Sequence, residues 1–277
     1  MPDWTRSFPD ADHRWVMALR PVDDARDFFA AQDATGAMLG ERARWLAEEE
    51  QKYAALLPEA EAAAVETWEM ARAWGHVCDD DDGDGHVPSP MQAMLRLGHA
   101  WEPDLVWMHP DETGTHRLAG GVVCFPSSWA LREKLGRMMA EVHGPVPALN
   151  GELGRQIDTF LQRMAPGAVW RRENWSLSRD GELNHHPSHQ RLKLDAGITV
   201  HDVWLRLEHQ LLMKLPNSGS VLFGIRIEVV PLGELMRDEE AAARLARLVA
   251  TMSEEAAAYK GLATARGALL GMLRGES

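Results

Sequence analysis

The chain has 277 residues, of which 45% are hydrophobic and 26% charged, a globular balance that excludes disordered, collagen-like and low-complexity classes. Its formal charge of −13, with no local basic patch, argues against nucleic-acid binding, and no run reaches the roughly 18 uninterrupted apolar residues of a membrane span. Cys78 and Cys124 are too few for a disulfide framework and wrongly spaced for a zinc or iron–sulfur site, and the opening MPDWTRSFPDADHR lacks the parts of a secretory signal, so a reducing cytoplasm is expected.

From Thr35 to Gly75 the apolar residues Leu39, Ala43, Leu46, Tyr53 and Leu57 recur at helical spacings, and Val65 and Trp68 follow Pro58, which predicts two helices. Asp80, Asp82, Asp84 and Gly85 imitate the front of a calcium loop, but Met91 stands where the bidentate Glu belongs, so an acidic turn is predicted instead. A short helix, Pro90 to Leu97, leads into two apolar runs, Leu105–Met108 and His116–Phe125, which flank HPDETGT as a hairpin. Ser127 or Ser128 can cap a helix running to about Val142. Another helix, about Glu152 to Met164, precedes the strand-like run Ala168 to Ser178. The polar stretch RDGELNHHPSHQRLKLDAG, with His185, His186 and His189, reads as a surface loop whose histidines are solvated.

Val203, Leu205, Leu207, His209 and Leu211 alternate with Trp204, Arg206, Glu208 and Gln210, and a second alternating run spans Val221 to Val229, so an antiparallel hairpin is predicted. If Leu215 faces Gly219 across Pro216, Asn217 and Ser218, then Arg206 comes opposite Glu228 and Glu208 opposite Arg226. Beyond Arg237 the chain is helical, with Asp238 as cap, a break near Gly261 and a stripe of Leu269, Leu270 and Leu273. Helices flanking a mainly antiparallel sheet give an α+β class, read as one domain with a helical N-terminal part (1–98), a sheet core (99–232) and C-terminal helices (233–277). There is no GxGxxG after a strand, no GxxxxGK[ST] and no GxSxG, which removes the parallel nucleotide folds and the α/β-hydrolases.

Eleven Trp and twelve His against two Tyr suit a chain that encloses something large and flat. His143 sits in EVHGPVP, where Pro145 and Pro147 restrict the backbone, and it is open to two readings: a ligand to haem iron, or a loop histidine bonded to backbone. Cys124 reads as a core thiol, with a sulfur facing haem as the alternative. Arg206, Glu208, Arg226 and Glu228 form either cross-strand salt bridges on an outer face or a polarised pocket. In the pocket reading, guanidinium groups stabilise a developing oxygen charge and a carboxylate takes a proton or binds an amine.

The segments GGVVCFPSSWALREKLGRMMAEVHGPVP (120–147), RRENW (171–175), WLRLEHQLLMKLPNSGSVLFGIRIEVVPL (204–232) and EEAAAYKGL (254–262), in this order, resemble the haem-dependent oxidative N-demethylase family of bacteria, the large subunits of dimethylamine-type oxidases. The resemblance implies a PAS-like sheet with flanking helices that holds haem b, activates oxygen and removes the N-methyl group of a small secondary amine as formaldehyde. It implies His143 as axial metal ligand, Trp175 and Arg206 beside the cofactor, Arg172 and Arg226 on the oxygen side, and Glu208, with Glu152 as the alternative, as the acid. His209 stands where the family usually has Arg after the Glu, and Met213-Lys214 replaces a more basic pair. The chain carries no flavin or iron–sulfur motif, so electrons are expected from a separate flavin or iron–sulfur reductase subunit, and a non-catalytic haem-binding gas or redox sensor or carrier is the alternative reading.

Overall fold

Two long alternating segments, β6 (Trp204–Lys214) and β7 (Val221–Pro231), form the central hairpin of the computed structural model, which describes residues 4–77, 87–146 and 150–276, the side chains of Asn150 and Glu152 excepted. The acidic turn at Asp80–Gly85 lies outside the described residues. Five further strands complete the sheet: β1 (Arg20–Val22), β2 (Ala54–Leu56), β3 (Asp104–Pro110), β4 (His116–Val122) and β5 (Val169–Ser178). Their order is β1-β5-β6-β7-β3-β4-β2, and every neighbouring pair is antiparallel. The α+β class is thus observed, with helices before, between and after the strands.

Alternation along the strands divides the core. Leu211, Met213, Trp107 and Leu222 pack with Phe29 of the short helix Arg26–Phe29, Trp68 and Leu97 of the helices Glu61–Ala73 and Pro90–Ala100, and Trp101 just after the latter. On the same side, Leu205 and Leu207 pack beneath Leu245, Val249 and Leu269 of the C-terminal helices Glu239–Thr251 and Arg266–Leu273. The opposite face, with Val106, Met108, Leu212 and Val221, is covered by Leu161 of the helix Arg155–Arg163 and by Met139. Gly120 and Gly121 lie where β2, β3 and β4 approach most closely, and a Cβ on Gly121 would collide with the Leu105 carbonyl. Among the described residues no helix is long and apolar enough to cross a membrane.

The hairpin register differs from the expected one by a single residue. Leu215 donates to the carbonyl of Ser220 (2.8 Å), not Gly219, and the turn therefore holds four residues, Pro216 to Gly219. The buried Glu66 explains the choice: its two oxygens accept the N–H groups of Asn217 and Ser218, each at 2.8 Å. Consequently Arg206 faces Val229, Glu208 faces Ile227, and Arg226 faces His209. Directly opposed residues share a face, so Arg226 lies on the face opposite Glu208.

Other segments also depart from expectation. The helix expected from Ser127 to Val142 is two short ones, Leu131–Lys134 and Met139–Val142. They are separated by Gly136 (φ 78), whose N–H is drawn to the Leu118 carbonyl (2.7 Å) at the edge of β4. Ser127 is not a cap but bridges to His185 and accepts from Arg206 (2.9 Å). The helix expected from Glu152 begins at Arg155, after a π turn over Asn150–Gly154. Asp238 does cap the helix it precedes, accepting from Ala241 (3.0 Å), and Gly261 breaks the last helices apart at φ 70.

Candidate functional site

Register places Arg172 opposite Gln210, Asn174 opposite Glu208 and Leu212 opposite Phe223, so these side chains share the face that also carries Met108. Above it lies a cavity of about 250 Å³. Its roof comes from three places: the helix Arg155–Arg163 with Ile157 and Leu161, the turn around His143 with Met139, and the irregular segment Trp15–Leu19. Tyr259 and Lys260 close one end. The walls are mostly apolar, with a few convergent polar groups, as small-molecule sites are built.

His143 follows the short helix Met139–Val142, donating its N–H to the Met139 carbonyl (3.0 Å), and its own carbonyl accepts from Val146 (2.9 Å). This tight HGPV turn fixes the ring at the cavity wall. Its Nδ1 is buried with no hydrogen-bond partner. Burial first, then the charges of Arg172 and Lys134, push the imidazole down to about 4, so it is neutral at physiological pH. A neutral, unpartnered imidazole nitrogen in an apolar wall is the form that ligates iron. Among the described residues no group of three or more His, Cys, Asp or Glu side chains is arranged to hold a metal ion.

The polar end of the cavity is built on β5 and β6. Both the Asn174 amide (3.1 Å) and the Gln210 amide (2.8 Å) donate to Glu208 Oε2. Arg172 lines the cavity, and its Nε is buried without a partner. Burial lowers its affinity for protons, while Glu208 and Glu173 hold it up. β1 covers only Val169–Arg171 of the outer edge of β5, and beyond it Lys260 Nζ donates to the Trp175 carbonyl (2.7 Å). The Lys260 ammonium lies 4.5 Å from the Trp175 ring centre and 5.9 Å from that of Trp15. Burial, opposed by Glu208 and reinforced by Arg172, brings it down to about 8. The residue type of Lys260 gives no sign of this role: it follows the short helix Glu254–Tyr259, and only the spatial return of that helix to β5 brings it to the cavity.

His143 and Arg172 both line the cavity, and Glu208 lies close to Arg172 and Lys260 on the same face without being part of the lining, whereas Arg206, Arg226 and the Trp175 ring lie apart from them. Arg226 donates to the Glu102 carboxylate and to the carbonyls of Phe28 (2.6 Å) and Ala30 (2.8 Å). Arg206 is fully buried but spends its donors on the carbonyls of Phe125 (2.6 Å), Leu183 (2.8 Å) and Glu182 (3.2 Å), and burial pushes it down to about 10. It clamps the polar loop 179–199 onto the sheet. The Trp175 ring packs against Phe8 (5.7 Å between centres) on the face opposite Arg172, touching the cavity only through Lys260. Cys124 is a core thiol, raised to about 12 by burial. His185 and His186 are buried, not solvated: Asp180 binds His185 Nε2 (3.0 Å), and Ser188 binds His186 Nδ1 (2.8 Å). Glu152, the alternative acid, has its side chain outside the described residues.

Residues 76–270 match the family described as haem-dependent oxidative N-demethylase, alpha subunit-like. The match spans well over half of the chain, and the protein belongs to this family.

Proposed function

We propose that the chain binds haem b in the cavity beside His143 and carries out oxidative N-demethylation of a small methylated secondary amine. Support comes above all from the buried, unpartnered Nδ1 of His143 in an otherwise apolar wall, in a chain whose family is haem-dependent. The sheet is read as PAS-like, with its Met108–Phe223 face toward the macrocycle. Bound haem supplies the activation of oxygen. His143 would hold the iron, while Met108, Leu161, Leu212 and Phe223 would exclude water around it. Glu208, steadied by Asn174 and Gln210, is the base positioned to accept the ammonium proton of the amine. Arg172 is the donor toward developing negative charge. In balance, one oxygen atom enters the N-methyl carbon and the other leaves as water, with two electrons from a partner reductase and two protons. The resulting carbinolamine splits into the demethylated amine and formaldehyde.

Haemin titration followed by absorption tests the cofactor. The full chain is expected to develop a Soret band that His143→Ala shifts or abolishes, and an unchanged spectrum in that variant assigns the ligand elsewhere. A binding-only role as sensor or carrier is favoured by one observation, the commitment of Arg226 to Glu102 on the far face, which removes a donor expected on the oxygen side. Mixing reduced haem protein with oxygen and dimethylamine separates the two: formaldehyde release supports the enzyme, and its absence over a panel of methylated amines supports the carrier.

A further inference from the structure

The polar end of the cavity holds two cationic side chains, Arg172 and Lys260, against one nearby carboxylate, Glu208. Glu208 already accepts two amide hydrogen bonds, while Arg172 Nε lies buried with no partner and Lys260 has one of its three donors on the Trp175 carbonyl. A simple alkylammonium ion placed there would satisfy Glu208 but add to a surplus of positive charge and leave the Arg172 donor unused. A ligand that also carries a carboxylate removes both defects at once.

We propose that Arg172 and Lys260 form a carboxylate seat inside the cavity, with Glu208 facing the cationic part of whatever is bound. Two sources offer that chemistry: an N-methylated amino acid, whose ammonium and carboxylate groups match Glu208 and the Arg172–Lys260 pair, and a propionate of the porphyrin. The first source rests on the demethylase reading, in that the methylated amine would be a zwitterion; the seat itself requires only the two cations and the unpartnered donor. Of the groups around the seat, Arg172 and Glu208 come from β5 and β6, Tyr259 and Lys260 from the end of the short helix Glu254–Tyr259, Trp15 from the N-terminal segment and His143 from the roof.

Calorimetric titration of the full chain without haem, using N-methylglycine, its methyl ester and dimethylamine, reads the first source. Absorption titration with haem and with haem dimethyl ester reads the second. The expected result is at least a tenfold preference for the free acid over the ester in one of the two pairs. Lys260→Met and Arg172→Gln should each abolish that preference, and Lys260→Arg should retain it. The acid–ester comparison in the parent protein needs no variant, so a variant that fails to fold, as read by circular dichroism, does not remove the test. Equal affinities for acid and ester in both pairs would overturn the seat. So would a preference that survives unchanged in folded Lys260→Met and Arg172→Gln. Failure of haem to bind at all would count against the cofactor reading alone, because the amino-acid titration is performed without haem.

Discussion

Glu102 joins Arg226 of β7 to the chain that precedes the first long helix: one carboxylate oxygen takes the Arg226 guanidinium, and the other accepts the N–H groups of Gln32 (2.9 Å) and Asp33 (2.7 Å). Arg226 adds the Phe28 and Ala30 carbonyls, so one buried ion pair bolts the 28–33 segment to the sheet. Removing either partner leaves an uncompensated buried charge, which costs about 3–5 kcal/mol. Arg226→Ala and Glu102→Ala are each expected to lose stability of that order in urea unfolding. A loss below about 1 kcal/mol for both would show that water reaches the pair.

His209 gives the sheet a second electrostatic lock, with a defined pH dependence. Burial alone would lower its pKa, but Glu173 on Nδ1 (2.5 Å) and Glu228 on Nε2 (3.0 Å) overcome this and bring it up to about 9. A folded-state pKa above the unfolded value of about 6.5 means stabilisation that is fully present below that value and lost as pH rises through about 9, up to about 3 kcal/mol. Unfolding free energy measured from pH 6 to pH 9.5 should fall over this window, and His209→Gln should flatten the decline. An identical pH profile in the variant would assign the decline to other groups.

The loop at Pro216–Gly219 depends on Glu66, a residue on a helix about 150 positions earlier in the chain. Glu66→Ala leaves the N–H groups of Asn217 and Ser218 without their acceptor, at a cost of about 1–3 kcal/mol. Hydrogen exchange is expected to show both amides losing protection while the ladder between Leu211 and Gly224 stays protected. Loss of protection along the whole hairpin would mean that Glu66 sets the register, beyond capping the turn.

That dependence also explains which parts of the architecture can be read from the chain alone. The alternation of β6 and β7, the Asp238 cap and the break at Gly261 are local signals, and each appears where the pattern puts it. The register is not local, because a distant carboxylate selects a four-residue turn over a three-residue one, and a single residue's slip moves Arg226 to the other face. The loop histidines mislead for a similar reason. His185 and His186 lie in polar text, yet Asp180, Asn184 and the Arg206 clamp bury them. His143 and Arg172 were legible through the rigid HGPV turn and the RRENW strand, whereas Lys260 needed the tertiary return of its helix.

The opposite placement of Glu208 and Arg226 has a quantitative consequence. Glu208 accepts from Asn174 and Gln210 on the cavity face, while Arg226 binds Glu102, Phe28 and Ala30 on the other, and the two side chains share no hydrogen-bond partner. Side chains without a shared partner contribute almost additively, with coupling of about 0.5 kcal/mol or less, even when their backbones are neighbours in the sheet. A double-mutant cycle of Glu208→Gln and Arg226→Ala in urea unfolding should therefore close within that limit. The functional readouts should also separate. Glu208→Gln keeps an acceptor for both amides but removes the charge behind the cavity-lining Asn174 and Gln210, so it should change amine binding with a loss of stability under about 1 kcal/mol. Arg226→Ala should do the reverse, losing several kcal/mol while any folded fraction binds amine with parental affinity. Coupling above about 1 kcal/mol, or an amine affinity that follows Arg226 in folded protein, would place the two groups in one pocket after all and would require the β6–β7 register to differ in solution.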